Sequence, residues 1–201
     1  MKRRLCVDID NCVAATDAVM RRIISAVTDG RVNFRYDDIR EFDYHGILCK
    51  DCDGNGIDEA IWKRVHDQFS EPDVVGNIEP LPGAVETLRI LQQEFEIHFV
   101  TTRKPRSRVA TIDWLDRLAL DSDRPYWTHF VAHREKHEVI TGIAAAIDDD
   151  ACQAESFQGC GVRAIVLAHP WNYHLKLGIE RFVTWTEIAD ALLGSTGVDS
   201  R

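Results

Sequence analysis

The stretch from Leu5 to Asp17, LCVDIDNCVAATD, constrains the fold more than any other part of the sequence. A short apolar run ends at Asp8 and Asp10, which predicts a buried strand that stops where two carboxylates begin. Thr16 and the amphipathic residues after it predict the start of a helix. Two carboxylates this close repel each other unless a cation or a proton lies between them. The pattern therefore indicates either a cation-dependent site at a strand end or two acids that cap the next helix.

Short apolar segments alternate with amphipathic helices along most of the remaining chain, which is typical of βαβ units and a parallel sheet. Further strands are predicted at residues 96–100, 128–132, 143–147 and 162–168, with an edge strand at 182–183. Helices are predicted at 16–28, 58–70, 81–94, 136–141 and 151–158, from Pro105 onward, and from a capping box at residues 184–187 to Leu193. In the helix that begins at Pro105, the spacing predicts a buried face of Val109, Ile112, Leu115 and Leu118.

Residues 14–77 interrupt this alternation, because they carry helical patterns and no clear strand. We therefore expect a Rossmann-like, three-layer α/β core with a parallel sheet, formed by residues 1–13 and 78–201. Residues 14–77 are expected to form a small helical cap domain inserted after the first strand. Because this segment leaves the core directly after Asp10, we expect it to hang over the loop that carries that residue.

Charge and composition narrow the range of partners. The 201 residues carry a formal net charge of -9, which argues against a broad nucleic-acid-binding surface. The basic N-terminus has no long apolar stretch after it, and no run approaches the roughly 20 apolar residues of a membrane span. The cysteines are therefore expected to be thiols in a reducing cytoplasm: Cys6, Cys12, Cys49, Cys52, Cys152 and Cys160. We expect a cytoplasmic protein without a nucleic-acid polymer or a membrane as partner, and the sequence makes no prediction of its oligomeric state.

Polar residues follow four of the predicted strands, at the sheet edge where ligands of such folds bind. In chain order they are Asp8 and Asp10, then Thr101, Thr102 and Arg103, then Lys136, then Asp148, Asp149 and Asp150. Each alone has a structural explanation, such as a helix cap or a solvated face. Their order, with each group placed after a strand, is hard to obtain by accident.

This order resembles the four motifs of the haloacid dehalogenase (HAD) superfamily. The matching positions are Asp8 and Asp10 for motif one, Thr101 for motif two, Lys136 for motif three, and Asp148 with Asp149 for motif four. The segments VDIDNCVAATD, FVTTRKP, KHEVI, AAIDDD and PWN are most similar to the 5'(3')-deoxyribonucleotidase group and its nucleotidase-like relatives. Asn11 stands where that group usually has Gly.

The resemblance implies hydrolysis of a phosphomonoester through an aspartyl-phosphate. Asp8 would attack phosphorus, and Asp10 would first protonate the leaving alcohol and then activate water. The phosphate would be bound by Asn11 and the N–H groups near it, Thr101, Thr102 and Lys136.

Oxygen ligands without paired His or Cys favour Mg²⁺ at this site. The resemblance implies that the ion is held by the Asp8 carboxylate, the Asp10 backbone carbonyl and Asp148, with Asp149 ligating directly or through water. Asp150 is expected to cap the helix that follows.

The substrate implied by the resemblance is a small phosphorylated molecule, most of all a nucleoside monophosphate. The alternatives are another metabolite, such as a phosphosugar or phosphoserine, and a catalytically idle binding protein with the same fold. Retention of every charged catalytic position argues against the idle protein. Aromatic residues of the cap are candidates for packing against a base, although most are expected in the cap core: Phe34, Tyr36, Phe42, Tyr44, Trp62 and Phe69.

Two other segments of the cap have partial metal-binding patterns. The run from Asp51 to Gly56 matches the first half of a calcium loop, but Trp62 stands where the loop needs its final Glu. Cys49 and Cys52 could bind zinc, but a second pair of ligands is missing. A glycine-rich turn is the simpler interpretation of both.

Overall fold

Six parallel strands form one sheet in the computed structural model, which describes residues 2–44, 59–121, 123–132 and 135–194. The strands are β1 (Arg3–Val7), β2 (Phe95–Thr101), β3 (Trp127–Phe130), β4 (Ile143–Asp148), β5 (Arg163–Leu167) and β6 (Glu180–Phe182). Their order across the sheet is β3-β2-β1-β4-β5-β6, and every neighbouring pair is parallel. The predicted Rossmann-like α/β core is confirmed.

Seven α-helices and five 3₁₀ helices occur in the described residues. The α-helices are α1 (Thr16–Val27), α2 (Glu59–Phe69), α3 (Pro72–Val75), α4 (Ala84–Leu91), α5 (Arg108–Arg117), α6 (Ala151–Gly159) and α7 (Trp185–Gly194). The 3₁₀ helices are Tyr36–Asp38, Phe42–Tyr44, Pro105–Ser107, Lys136–Glu138 and Pro170–Asn172. None of the helices in this part of the chain combines the length and apolarity that a membrane crossing requires.

The central strand β1 is covered on both faces, as expected for a parallel sheet between two helical layers. Successive side chains of a strand point to opposite faces. Leu5 and Val7 accordingly join a cluster with Trp185 on one face, whereas Cys6 joins Phe157 on the other. Because both faces of β1 are buried in apolar side chains, the strand holds Asp8, the residue directly after it, at a fixed place at the edge of the sheet.

The predicted buried face of α5 is partly wrong. Leu115 and Leu118 are buried, but Val109 is 70% exposed and Ile112 is 37% exposed. Trp114 sets the rotation of the helix instead, because its ring is buried and its Nε1 donates to the carbonyl of Ile78 at 2.7 Å. The largest apolar side chain thus determines which face is buried.

Two other predicted helices are shorter than their sequence pattern. The helix expected at 136–141 is only the 3₁₀ turn Lys136–Glu138. The helix expected from residue 81 begins at Ala84, because Gly83 before it has a left-handed backbone with φ of 76°. Two predicted caps are confirmed: Asp150 accepts from the backbone of Cys152 at 2.8 Å, and Glu187 accepts from the backbone of Thr184 at 3.0 Å.

The insert, residues 14–77, leaves and re-enters the core at one place. The backbone N–H of Ala15 donates to Glu79 at 2.8 Å, and that of Leu81 donates to Val13 at 2.7 Å. Between these ends, α1 and α2 pack around an apolar cluster of Met20, Ile23, Ile24, Val27, Val32, Ile39, Tyr44 and Val65. The candidate calcium and zinc segments, from Cys49 to Gly56, lie outside the described residues.

Candidate active site

A lysine ammonium lies between two carboxylates at the carboxyl ends of the central strands. The Nζ of Lys136 is 2.7 Å from Asp8 Oδ1 and 2.8 Å from Asp148 Oδ2, and all three residues are at most 5% exposed. Burial raises the pKa of Asp8, the ammonium of Lys136 opposes that rise, and Asp148 adds to it. Burial by itself lowers the pKa of Lys136, but Asp148 and Asp8 outweigh it, so the pKa lies well above its ordinary value. The lysine therefore stays charged.

The second aspartate of the strand end has different partners. Arg103 forms a fork with Asp10, with Nε 3.0 Å from Oδ2 and Nη2 2.8 Å from Oδ1. The hydroxyl of Thr16 donates to Asp10 Oδ1 at 2.5 Å. Burial raises the pKa of Asp10, but the Arg103 guanidinium and the Thr16 hydroxyl outweigh it and hold the pKa below its ordinary value. Asp10 is therefore held as a carboxylate at the edge of the sheet.

Asn11 makes the turn between β1 and α1. Its φ of 55° lies in the left-handed region, which Gly and Asn adopt more readily than other residues. Its Oδ1 accepts from the backbone of Asp17 at 2.7 Å, and its Nδ2 donates to Asp149 Oδ2 at 3.2 Å. Its own N–H donates to the carbonyl of Ala14 at 2.9 Å. Asn11 thus adopts a left-handed backbone conformation that glycine also adopts readily, and its side chain connects the loop to α1 and to Asp149. Its contact with a phosphate stays a prediction.

The two threonines at the end of β2 occupy different positions. Thr101 is fully buried, and its hydroxyl accepts from the backbone of Arg103 at 3.2 Å. Thr102 lines the cavity that is described below, whereas Thr101 is not among the described residues that line it. The side chain of Thr102 is therefore the one that the structure brings to the open side of the site.

A group of acids occupies the part of the site that could hold a cation. Ligand atoms of Asp8, Cys12 and Asp149 lie within 4.8 Å of one another. Asp149 is fixed by the core, since its Oδ2 accepts from Trp171 Nε1 at 3.2 Å and its carbonyl accepts from Asn172 Nδ2 at 2.9 Å. These contacts orient one carboxylate oxygen and leave the group facing Asp8.

The donor set of this group fits a hard cation. Burial raises the pKa of Asp149 well above its ordinary value, and the charges of Asp8 and Asp148 raise it further, as uncompensated negative charge should. Burial also raises the pKa of the Cys12 thiol, so this residue offers no thiolate. Three buried carboxylates against one ammonium therefore favour a bound cation with oxygen ligands.

A cavity of about 420 Å³ opens above these groups, between the sheet edge and the insert. The core wall includes Asp8, Asp10, Asn11, Thr102, Arg103, Lys136, Asp148, Asp149, Gln153 and Trp171. The insert wall includes Met20, Ile39, Glu41, Phe42, Tyr44, His66, Phe69 and Ser70. Of the six cap aromatics considered from the sequence, Phe42, Tyr44 and Phe69 are among these lining residues.

Residues 3–196 match the family described as 5' nucleotidase, deoxy (pyrimidine), cytosolic type C protein. The chain belongs to this family. A Bacillus cereus protein named "Putative nucleotidase" is 28% identical over 116 residues, which cover 56% of this chain and 60% of that protein. The match with this curated relative therefore spans about three fifths of its length.

Solved structures of HAD proteins share the fold of this nucleotidase-family chain. A HAD family hydrolase of Deinococcus radiodurans with bound phosphate and sodium has a TM-score of 0.65 at 15% identity, covering 97% of this chain and 96% of its own. A predicted phosphoglycolate phosphatase of Haemophilus somnus has a TM-score of 0.66 at 14% identity, covering 96% and 98%. A Bacillus subtilis structure bound to magnesium has a TM-score of 0.56 at 14% identity, covering 96% and 99%. The predicted resemblance to nucleotidases is confirmed by this family, and the predicted HAD-like fold is confirmed by these structures.

Two residues, Arg103 and His169, make contacts at this site that sequence reasoning missed. The sequence indicated the position of Arg103, because a charged residue two positions after Thr101 had to lie near the sheet edge that carries the site. No such indication existed for His169, whose Nε2 lies 2.7 Å from the backbone oxygen of Asn11. It is one of eight histidines, and 158 positions separate it from Asn11.

Proposed function

We propose that the chain is a Mg²⁺-dependent phosphomonoester hydrolase of the 5'-nucleotidase type, which acts on nucleoside or deoxynucleoside monophosphates. One observation carries the proposal: the buried ammonium of Lys136 lies between Asp8 and Asp148 at the floor of a cavity of about 420 Å³. A cavity of this volume suits a small ligand. A positive charge next to a carboxylate nucleophile is what phosphoryl transfer needs, because the oxygens of the transferred group carry negative charge.

In the first step, an Asp8 carboxylate oxygen attacks phosphorus and the bond from phosphorus to the ester oxygen breaks. The leaving oxygen takes a proton from Asp10. Arg103 and Thr16 hold Asp10 in position for this transfer. The negative charge of a bound phosphate raises the pKa of Asp10, which favours the protonated form that the first step uses.

In the second step, water attacks the aspartyl-phosphate and gives a proton to Asp10. The bond between the Asp8 oxygen and phosphorus breaks, so inorganic phosphate is released and the free carboxylate of Asp8 is regenerated. The Arg103 fork favours the carboxylate form of Asp10, which is the form that accepts this proton. Lys136 and Thr102 stay in contact with the phosphoryl oxygens in both steps.

Mg²⁺ would be held by Asp8, the Asp10 backbone carbonyl, Asp148 and Asp149, and when bound it neutralises charge on the phosphoryl oxygens. The raised pKa of Asp149 supports this assignment, since a cation would compensate the clustered acids. We further propose that the insert acts as a cap domain and that the protein works in the cytoplasm, as the description of its family as cytosolic suggests.

The nucleotide substrate rests on the family description and on the insert wall. The family is described by a deoxy, pyrimidine 5'-nucleotidase, and the Bacillus cereus relative also has a nucleotidase name. Phe42 and Tyr44 give the insert wall aromatic surface, against which a base can pack. A phosphosugar or another small phosphorylated metabolite is the second candidate, because fold neighbours include a predicted phosphoglycolate phosphatase.

A phosphate-release assay with Mg²⁺ over a panel of metabolites tests the proposal. The panel contains purine and pyrimidine nucleoside monophosphates, their deoxy forms, sugar phosphates, phosphoserine and p-nitrophenyl phosphate. We expect a pyrimidine deoxynucleoside monophosphate to have the highest kcat/KM. A higher kcat/KM for a sugar phosphate would transfer the assignment to the second candidate, and no release from any compound would overturn the proposed activity.

A further inference from the structure

A histidine of the core bridges the insert and the catalytic loop. Tyr36 belongs to the insert, and its hydroxyl lies 2.6 Å from Nδ1 of His169. The other ring nitrogen of His169, Nε2, lies 2.7 Å from the backbone carbonyl oxygen of Asn11, the residue after Asp10. A single imidazole ring therefore joins the insert to the loop that carries Asn11.

The partners of this ring determine where its protons are. A backbone carbonyl can only accept, so Nε2 of His169 must carry a hydrogen and donate it to Asn11. In the neutral ring Nδ1 is then an acceptor, and the hydroxyl of Tyr36 donates to it. Burial favours this neutral ring and lowers the pKa of His169 to about 4, although the Asn11 carbonyl and the charge of Asp17 oppose the shift.

The core holds the ring in one orientation. His169 stacks on Trp171, with ring centres 4.4 Å apart and planes within 4° of parallel. The indole N–H of Trp171 donates to Asp149 at 3.2 Å. The backbone of His169 is fixed as well, because its N–H donates to Asn172 Oδ1 at 2.9 Å and its carbonyl accepts from Arg181 at 3.1 Å. The imidazole can therefore transmit the position of Tyr36 to the Asn11 carbonyl.

The Asn11 carbonyl belongs to the left-handed turn on which the catalytic loop depends. The side chain of this residue also holds the start of α1 and the carboxylate of Asp149. From this geometry we propose that His169 is a positioning residue, which fixes the loop after Asp10 through Nε2 and makes its geometry depend on docking of Tyr36 through Nδ1. The proposal rests on the function proposed above and adds a link between the insert and the loop.

Four variants and one control test the link in the 201-residue chain. His169→Ala removes both contacts, His169→Gln keeps an amide donor for the Asn11 carbonyl, and Tyr36→Phe removes only the hydroxyl. The fourth variant combines Tyr36→Phe with His169→Ala. The control is His98→Ala, because His98 also stacks on a Trp and bonds to a side chain, but in β2 and outside the cavity lining of the described residues.

We expect His169→Ala to lower kcat by about 10- to 100-fold, the range for small misplacement of reacting groups, with little change in KM. His169→Gln should recover most of the loss. Tyr36→Phe should lower kcat by about 3-fold, the equivalent of one weak hydrogen bond, and should have no further effect in the His169→Ala background. His98→Ala should lower the melting temperature and leave kcat unchanged. Unchanged kcat in His169→Ala, no recovery in His169→Gln, or additive effects of the two substitutions would overturn the proposal.

Two measurements keep the test independent of catalysis. Long-range ¹H–¹⁵N spectra should show His169 as the neutral Nε2–H tautomer at pH 7, and the opposite tautomer would overturn the proposal. Hydrogen exchange of the amides at residues 11–14 should accelerate in His169→Ala and not in His98→Ala; equal exchange in the two variants would also overturn it. A chain that shows the expected tautomer and exchange but releases no phosphate would refute the proposed function and leave the structural link intact.

Discussion

The two walls of the cavity are built from different chemistry. The core wall carries buried charges at strand ends, with Lys136 held between Asp8 and Asp148. The insert wall is largely apolar and aromatic, with Met20 and Phe42 among its residues. Phosphate is common to all phosphomonoesters, whereas the rest of the molecule differs among them. The contrast fits the proposed function, in which the core wall carries out the reaction and the insert wall selects the substrate.

The two walls also differ in how firmly their side chains are fixed. Asp8 and Asp148 lie at the ends of β1 and β4, which are covered on both faces, and Lys136 is buried in ion pairs with both of them. Phe42, in contrast, is 37% exposed, whereas Lys136, which also lies in a 3₁₀ turn, is 4% exposed. Substitutions in the core wall should therefore affect all substrates equally, and those in the insert wall should change the ratios between substrates.

The largest effect is expected from Asp8→Asn. This change keeps the size of the side chain and removes the attacking charge, so kcat should fall by at least about 10⁴-fold for every substrate. Asp190→Asn, in the exposed part of α7, is the matched control and should keep wild-type kcat. Circular dichroism checks that both variants are folded. A kcat of Asp8→Asn within 100-fold of the wild-type kcat would refute the assignment of Asp8 as the nucleophile.

Removal of the metal should have the next largest effect. Excess EDTA should lower activity by about 10³-fold or more, since a bound cation contributes several kcal/mol of charge stabilisation, and added Mg²⁺ should restore it. Asp148→Asn should raise the Mg²⁺ concentration needed for half-maximal rate. Activity that is the same in EDTA and in Mg²⁺ would show that the acidic group does not serve a catalytic cation.

Arg103→Lys tests a residue that the sequence placed at a strand end without assigning it a role. Lysine keeps the charge but cannot form the fork with Asp10, so kcat should fall by about 10- to 100-fold for all substrates. Arg163→Lys is the matched control. It breaks a similar fork with Glu180, whose two contacts are 2.6 and 2.8 Å, but at the opposite edge of the sheet. Equal losses of activity in both variants would mean that the Arg103 fork acts only through stability.

The smallest effect is expected from Phe42→Leu, and it should appear in the ratio of kcat/KM between substrates. Loss of an aromatic contact with a base should lower kcat/KM for nucleotides by about 3- to 10-fold relative to p-nitrophenyl phosphate. Trp127→Leu, an exposed aromatic residue on β3, should leave the ratio unchanged. If Phe42→Leu lowers kcat/KM for nucleotides and for p-nitrophenyl phosphate in equal proportion, the insert wall does not select the substrate.

The core wall could be predicted from the sequence far better than the insert wall. Asp8 and Asp148 end strands whose apolar pattern is clear, Lys136 follows the strand predicted at 128–132, and parallel strands bring their ends to one edge. The structure accordingly places these three side chains in direct contact. The order of polar residues along the chain was sufficient to predict this contact, because residues that follow parallel strands lie close together at one edge of the sheet.

The remaining features depend on side-chain packing across long separations, which periodicity does not describe. The buried face of α5 was mispredicted at Val109 and Ile112 because the indole of Trp114 sets the rotation of that helix. The contact between His169 and Asn11 depends on where β5 ends relative to β1 and on a ring that stacks on Trp171. Neither the strand pattern nor a motif specifies such a contact.

The paired backbone at the two ends of the insert has a consequence for how this architecture can diversify. The strand-like pairing of Val13 with Leu81 and of Ala15 with Glu79 closes the core before the intervening segment begins. Stretches of that segment away from Thr16 and Tyr36, whose side chains bond to the core, can change in length or sequence without moving β1 relative to the element that follows. Under the proposed function, natural variation in those stretches can change which metabolite is recognised while Asp8, Lys136 and Asp148 keep their places. The same junction is the natural splice point for grafting a foreign lid onto this scaffold.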